Sequence, residues 1–250
     1  MIKSEIRNGT GIITLARPEK RNALHPEMVK KIKLVLSDFE KDENINSVII
    51  TGAGTTFCAG ADLEYLNELS DNSSIGNYND SKSLAELFLM IYEFEKPTIA
   101  AVNGAAIAGG CGLASVCDFI IAHPENSKLG YSEVKIGFIP AIVSIFLIKR
   151  IGEGLSKQFL LEGDLITGKR AYEIGLVNYL SENVLDFALD ISGRLNKNSS
   201  ESMRMTKRML NSISNLSVKD AVDYTINLNT ISRSTNDFKK GLEKFLTKGK

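Results

Sequence analysis

The sequence has little of several residue types that mark specialised proteins. It contains three cysteines and two histidines in 250 residues. Cys58, Cys111 and Cys117 are odd in number, lie in apolar or glycine-rich stretches and show no metal-ligand spacing, so we expect reduced thiols and no metal. Proline is also scarce, at five residues, while 43% of the chain is hydrophobic and 24% is charged. This composition is typical of a globular protein and excludes the fibrous and disordered classes.

An excess of charge of one sign and a long apolar run are missing as well. Thirty Lys and Arg residues balance thirty Asp and Glu residues, so no overall field gathers nucleic acid or anionic lipid. No run of about 18 apolar residues occurs, and the first residues alternate polar and apolar side chains rather than forming a presequence. We expect no nucleic-acid partner, no membrane and a cytoplasmic protein; a mitochondrial matrix protein without its presequence is the alternative.

The first two thirds of the chain alternate strand and helix patterns. Residues 2–7 and 11–15 flank Asn8-Gly9, a turn dipeptide that predicts a hairpin. Apolar residues spaced by three and four predict an amphipathic helix over 26–41. Continuous apolar runs predict further strands in a sheet covered on both faces, at 47–51, 98–102 and 118–122. The alternation indicates a layered α/β fold.

Two other stretches differ from this pattern. Residues 67–82 are crowded with Asn, Ser, Asp and Gly, which predicts a mobile surface loop, with a lid as one interpretation. After about residue 140, apolar residues recur at helical spacing to the end. We therefore predict an α/β core over 1–190 and a helical C-terminal oligomerisation region over 191–250, because helices with uncovered apolar faces often pack on another subunit.

Four short segments carry candidate chemistry. Small residues in 57–63 (FCAGADL) let backbone N–H groups approach a ligand, and glycines in 102–113 (VNGAAIAGGCGL) open a helix whose N–H groups can bind negative charge. Glu133 is the one carboxylate in the mostly apolar segment 129–140, where desolvation suits an acid or base. The fourth segment, 16–24 (ARPEKRNAL), is a basic loop.

Each segment also has an ordinary structural explanation. These are a capped turn at Asp62, a tightly packed glycine and alanine helix start, a solvated Glu133 paired with Lys135, and a charged surface turn. The glycine-rich segment has neither the dinucleotide-binding spacing nor the P-loop ending. Taken singly, the residues leave these alternatives open.

In combination, the segments resemble the crotonase superfamily, also named the enoyl-CoA hydratase/isomerase family. The motifs occur in order as R-P-x-x-x-N-A-L, F-C-A-G-A-D-L, N-G-x-x-x-x-G-G-C and G-Y-x-E-x-x-x-G-x-x-P, followed by T-G-x-x-A-Y-E-I-G-L-V-N at 167–178. The resemblance implies a spiral of ββα units with a helical trimerisation region, assembled as a homotrimer or a dimer of trimers. It implies an acyl-CoA substrate, with CoA as part of that substrate and no separate cofactor.

The resemblance also implies roles for individual residues. The backbone N–H groups of Ala61 and Gly109 match an oxyanion hole that stabilises the thioester enolate, and Glu133 matches a catalytic acid and base. Several further residues match the region that holds CoA, with Lys20 or Arg21 near its phosphates: Lys20, Arg21, Ala23, Ala59, Asp62, Leu63 and Gly110.

One departure from the family pattern bears on the reaction. Two-carboxylate hydratases carry a Glu three residues after the oxyanion glycine, where this chain has Gly112. The segment 132–144 resembles the branch of bacterial methylglutaconyl-CoA and carboxygeranoyl-CoA hydratases, some of which also have Gly there. That branch implies a lyase that hydrates a branched or carboxylated 2-enoyl-CoA, in fatty acid or leucine breakdown.

The residues themselves leave other functions open. A lone Glu equally suits an isomerase that moves a double bond, and a decarboxylase is a further alternative. The missing carboxylate also favours a different class, a CoA-binding or scaffold protein without turnover or with a second role in RNA binding.

Overall fold

The computed structural model describes residues 1–69 and 73–248. The strands are β1 (Ile2–Arg7), β2 (Thr10–Leu15), β3 (Ser47–Gly52), β4 (Thr56–Cys58), β5 (Thr98–Val102), β6 (Ala105–Ile107), β7 (Phe119–Ala122), β8 (Lys128–Gly130), β9 (Ile166–Thr167) and β10 (Tyr179–Leu180). The helices are α1 (Pro26–Lys41), α2 (Leu63–Leu69), α3 (Ser74–Glu93), α4 (Gly109–Ser115), α5 (Ala141–Glu162), α6 (Gly168–Glu173), α7 (Val184–Leu195), α8 (Ser200–Ile213), α9 (Val218–Ser232) and α10 (Asn236–Lys248). Within the described ranges, no helix has both the length and the apolar character needed to cross a membrane.

The larger sheet has six strands in the order β1-β2-β3-β5-β7-β10. Its β1–β2 hairpin turns at Asn8 and Gly9, which both have positive φ, and the remaining pairs are parallel. Successive side chains of a strand face opposite sides. Val48 and Ile50 accordingly enter the main core, while Ile49 packs under α7. The predicted hairpin and the sheet covered on both faces are confirmed.

A smaller sheet of four short strands has the order β4-β6-β8-β9. Its first three strands are parallel and β9 is antiparallel to β8. The sequence patterns did not predict this sheet, because two or three residues are too few to show an alternation. The two sheets and the helices that connect their strands form a layered α/β fold, as the alternation of strand and helix patterns predicted.

The prediction of a surface loop over 67–82 is wrong for most of that segment. Helix α2 continues to Leu69, and α3 begins at Ser74 with the Ser73 hydroxyl accepting a hydrogen bond from the Gly76 N–H. Helix α3 buries apolar side chains only in its later turns, at Leu87, Phe88 and Ile91. Helix formation is cooperative, so these packed turns stabilise the polar turns before them. Residues 70–72 lie outside the described residues.

The C-terminal part is helical, as predicted. The predicted boundary at residue 190 falls inside α7, which packs Val184, Ala188 and Ile191 on the larger sheet. In α8 and α9 no side chain is buried. Lys207 of α8 connects this part to the core, since its Nζ lies 2.7 Å from the Asp118 carboxylate. The role of 191–250 in oligomerisation stays a prediction.

Candidate active site

Three parallel strands of the smaller sheet end at one edge, and each leads into a predicted site residue. Ala61 follows β4, Gly109 follows β6 and Glu133 follows β8. Cys58 of β4 pairs with Ala106 of β6, and β6 in turn pairs with β8. The carboxyl ends of neighbouring parallel strands are a common position for binding sites. The small sheet therefore brings together three segments that are far apart in the sequence.

The backbone N–H groups of Ala61 and Gly109 are neighbours. A Cβ atom placed on Gly109 would lie 4.0 Å from the nitrogen of Ala61, and one placed on Gly60 would lie 3.4 Å from the nitrogen of Gly109. Among the described residues, neither N–H donates a hydrogen bond to another backbone or side-chain group. Two adjacent unused donors can stabilise one negatively charged oxygen.

Unusual backbone conformations hold these donors in place. Ala108 has φ 52° and ψ −124°, which is costly for a residue with a side chain, at about 1–3 kcal/mol. Its N–H donates to the carbonyl of Gly130 at 2.7 Å, so β8 helps to fix the peptide that carries the Gly109 N–H. Gly60 has φ 89°, and a Cβ there would lie 2.8 Å from the carbonyl oxygen of Ile107. Only glycine fits that position.

Glu133 is a buried carboxylate with an unused oxygen. It begins a 3₁₀ turn, is 7% exposed, and its Oε2 has no hydrogen-bond partner among the described residues. Burial raises the pKa of Glu133, and one backbone hydrogen bond partly opposes the rise. The alternative pairing with Lys135 is wrong, because the Lys135 ammonium lies 2.6 Å from the Asp164 carboxylate. A desolvated carboxyl with an unused oxygen is suited to carrying a proton.

Two side chains near Glu133, Cys111 and Tyr131, are neutral at ordinary pH. Burial raises the pKa of Cys111 to about 12 and that of Tyr131 well above its usual value, and the nearby Glu133 charge adds to both shifts. The Tyr131 hydroxyl is hydrogen-bonded to the Ser115 hydroxyl at 2.9 Å. The three cysteines are buried free thiols, as expected. Among the described residues, no cation lowers the pKa of Glu133.

The basic loop lies against the FCAGADL segment. The Leu24 N–H donates to the Gly60 carbonyl at 2.7 Å and the Asp62 N–H donates to the Leu24 carbonyl at 3.0 Å, on either side of Ala61. The Ala59 N–H donates to the carbonyl of Arg21 at 3.0 Å. Two motifs of the predicted CoA region are thus in direct contact.

The side chains of the predicted CoA region differ in their availability. Lys20 forms an ion pair with Glu64. Arg21 is exposed with φ 51°, whereas Ala23 is buried and Leu63 is 67% exposed. The contact of these residues with CoA stays a prediction.

Asp62 is committed to a structural ion pair. Its carboxylate lies 2.9 Å from the Arg17 guanidinium, with both side chains largely buried, and it accepts the Glu64 N–H at the start of α2. Burial alone would raise the pKa of Asp62, but the hydrogen bonds from Arg17 and from the backbone outweigh it and lower the pKa. The capped turn predicted at Asp62 is confirmed, and Arg17 is a partner that the sequence patterns missed.

Asn22 is a second residue whose role was missed. It has φ 54°, and its amide nitrogen donates to the carbonyls of Ala53 and Thr56 at 2.9 and 2.7 Å. Its amide oxygen accepts the Arg17 N–H. Asn tolerates positive φ better than most residues, so the Asn in R-P-x-x-x-N was the available signal. Asn22 joins the basic loop to the turn before β4.

Glycines pack α4 tightly, which confirms the structural explanation of the glycine-rich segment. A Cβ on Gly110 would overlap the Cys58 carbonyl oxygen and lie 2.9 Å from the Cys58 Cβ. Gly112 is also buried. The predicted contact of Gly110 with CoA stays a prediction.

Comparisons with known proteins agree with this arrangement. Residues 5–250 match a family model described as enoyl-CoA hydratase/isomerase. A crotonyl-CoA hydratase of Syntrophomonas wolfei is 33% identical over 244 residues, covering 96% of this chain and 92% of that protein. The 2,3-dehydroadipyl-CoA hydratase of Escherichia coli is 31% identical, covering 95% of this chain and 92% of that protein.

Solved structures give the same result. The crystal structure of an enoyl-CoA hydratase from Polaromonas sp. JS666 superposes with a TM-score of 0.95 at 30% identity, covering 99% of this chain and 97% of that one. The narrower resemblance to methylglutaconyl-CoA hydratases stays a prediction. Since the family model spans nearly the whole sequence and the relatives align over nearly their full lengths, this chain belongs to the enoyl-CoA hydratase/isomerase family, within the crotonase superfamily.

Proposed function

We propose that this protein is an enoyl-CoA hydratase that adds water to a 2-enoyl-CoA thioester. One observation carries the proposal: the buried, unpartnered carboxyl of Glu133 lies at the same sheet edge as the unused N–H groups of Ala61 and Gly109. A proton carrier beside two aligned donors is what addition to a conjugated thioester needs. The hydratase names of two relatives support the choice of reaction.

In the proposed reaction, Glu133 acts as base and then as acid. Its carboxylate takes a proton from water while the water oxygen bonds to Cβ of the substrate. The electron pair of the double bond moves through Cα onto the thioester oxygen, where the N–H groups of Ala61 and Gly109 stabilise the negative charge. Glu133 then returns the proton to Cα. A raised carboxyl pKa makes the Glu133 carboxylate a stronger base, which helps the first step, the removal of the proton from water.

The second candidate is an isomerase that uses the same three residues. Glu133 would remove a proton from one end of the allylic system of a 3-enoyl-CoA and return it at the other. The observation that favours this candidate is the lack of a carboxylate at Gly112, where buried apolar neighbours fill the space. A decarboxylase needs the same oxyanion donors and is a further alternative, but no observation at this edge favours it over the other two reactions.

The substrate and its surroundings are part of the proposal. The CoA moiety would lie along the basic loop, with Lys20 or Arg21 near its phosphates, and no cofactor other than this substrate would be needed. We propose a branched or carboxylated acyl group, a cytoplasmic location, and assembly as a trimer or a dimer of trimers.

An ultraviolet assay separates these reactions. Conjugation of the 2,3 double bond with the thioester absorbs in the ultraviolet, so hydration removes the band and isomerisation of a 3-enoyl-CoA creates it. In a panel of straight, branched and carboxylated 2-enoyl-CoAs, we expect loss of the band with a branched one, and oxygen from labelled water in its 3-hydroxyacyl product. A new band from 3-enoyl-CoA without any hydration would establish the isomerase instead. Thermal stabilisation by CoA without turnover of any substrate would establish the non-catalytic CoA-binding protein.

A further inference from the structure

The volume beside Gly112 is filled from another helix. A Cβ atom on Gly112 would overlap the Cγ1 methyl of Val143, lie 3.1 Å from the Val143 Cβ and lie 3.2 Å from Cε2 of Phe88. Val143 is in the first turn of α5 and is 4% exposed, and Phe88 of α3 is fully buried. Both belong to the main core. No side chain fits at position 112 unless these neighbours move.

Position 112 is oriented toward the candidate site. It follows Gly109 by three residues in α4, and residues three apart share one helix face. Side chains in a helix lean toward its N-terminus. A long side chain at 112 would therefore extend toward the turn that carries the Gly109 N–H. Val143 occupies the start of that path with methyl groups.

We propose that Val143 is a specificity-determining residue. By filling the space at Gly112, Val143 keeps a second polar side chain out of the site. Glu133 then works alone beside an apolar wall. The catalytic part of this inference, the effect on hydration, rests on the proposed function. The packing part, the exclusion of a side chain at position 112 by Val143, does not. An apolar wall cannot anchor water. Straight-chain 2-enoyl-CoAs, which bring no polar group of their own to hold water, are then poor substrates.

The packing part is tested with alanine variants and thermal melting. Gly112→Ala alone is expected to lower Tm by at least about 4 °C, although Gly to Ala inside a helix is normally stabilising. Gly193→Ala in α7 is the matched control, because no atom lies within 4 Å of a Cβ placed there; it should leave Tm unchanged or raise it. In a Val143→Ala background, the loss from Gly112→Ala should shrink to less than half. An equal loss in both backgrounds overturns the proposal.

The catalytic part is tested in the same Val143→Ala background. Gly112→Glu/Val143→Ala is expected to raise kcat/KM for hydration of but-2-enoyl-CoA at least about 10-fold over Val143→Ala. This gain is smaller than the rate increase of about 10²–10⁴-fold that a general acid or base typically contributes. Gly112→Gln/Val143→Ala has the same size without the charge and should show no gain. Equal rates for the Glu and Gln variants overturn this part. Failure of the wild type to hydrate any enoyl-CoA would refute the proposed function instead, and the melting result would still decide whether Val143 excludes a side chain at 112.

Discussion

The two ends of α4 differ in whether their polar groups have hydrogen-bond partners. At its N-terminal end, the N–H groups of Gly109 and the adjacent Ala61 donate to no described residue, and Oε2 of nearby Glu133 accepts nothing. At its C-terminal end, the carbonyls of Ser115, Cys117 and Asp118 accept hydrogen bonds from Arg150. The polar groups at the N-terminal end of this short helix therefore lack partners in the described part of the chain, whereas the carbonyls at its C-terminal end are hydrogen-bonded to Arg150. We call this second end, with Arg150, the anchor.

The anchor extends beyond the helix itself. Arg150 is partly buried, and this desolvation lowers its pKa. It also donates to the Asn178 side chain at 3.2 Å. The Asp118 carboxylate accepts the Thr98 N–H at 2.7 Å and faces Lys207 of α8 at the same distance. Every acceptor named here has a donor, so this end contributes to stability.

The difference indicates which end meets a ligand. A buried polar group without a partner costs about 1–3 kcal/mol, and a strained residue such as Ala108 adds a similar cost. Such costs persist where function requires them. The unsatisfied end is then expected to control turnover and the bonded end to control folding, which mutations at each end can separate.

The largest effect is expected from Glu133→Gln. The amide cannot exchange a proton as a carboxyl does, so turnover should fall about 10²–10⁴-fold, while calorimetry shows little change in CoA-ester affinity. Glu125→Gln, at an exposed carboxylate after β7, is the control and should keep full activity. Retention of more than half of the wild-type rate by Glu133→Gln would remove Glu133 from the mechanism.

The next effect concerns the N–H of Gly109. Gly109→Pro removes this hydrogen, and loss of one oxyanion donor costs about 10²–10³ in rate. Gly109→Ala is the matched control, because it places a Cβ at the same point, 3.6 Å from Leu24 Cδ1, but keeps the N–H. We expect the Pro variant to be at least about 10-fold slower than the Ala variant. Equal rates in two variants with similar melting curves would show that this N–H is not used.

A change at the bonded end should affect stability instead. Arg150→Met leaves several buried carbonyls without a donor and should lower the free energy of unfolding by about 3 kcal/mol, measured by denaturant titration. Arg170→Met is the control, because Arg170 is exposed and pairs only with Glu173 at 3.1 Å among the described residues; its cost should stay under about 0.5 kcal/mol. Similar unfolding midpoints for the two variants would contradict the anchoring role of Arg150.

The sequence patterns predicted the long elements of this molecule better than the edge that forms the site. The spacing of Met28, Ile32 and Phe39 after Pro26 gave a helix with the observed bounds. Strands β4, β6 and β8 span three residues each, too few for a period, so their common edge became visible only in the fold.

Ion pairs between residues far apart in the sequence explain the other differences between the predicted and the observed site. Glu133 could be recognised as a carboxyl in an apolar segment, but its adjacent lysine pairs with Asp164, 29 residues beyond that lysine. Asp62 was recognised as a cap, while its guanidinium partner lies 45 residues earlier, at Arg17. Pairings between distant segments have no local signal, and they decide which carboxylate is neutralised and which is left free.

The smallest effect expected is a pH-dependent gain in stability on replacing Glu133. Burial raises its folded-state pKa above the ordinary value of 4.5, so above that pH the folded protein holds this proton more tightly than the unfolded chain does. Stability is then lost as pH rises from about 4.5 through the folded pKa. The amide introduced by Glu133→Gln does not titrate, so the Tm of this variant minus that of the wild type should increase between pH 4 and pH 7. Asp62 has the opposite shift and loses its contribution as pH falls, but both proteins keep Asp62 and its effect cancels in the difference. A difference in Tm that does not change with pH would mean that the Glu133 carboxyl meets no cost in the folded protein, and the contrast between the two ends of α4 would then rest on the N–H groups alone.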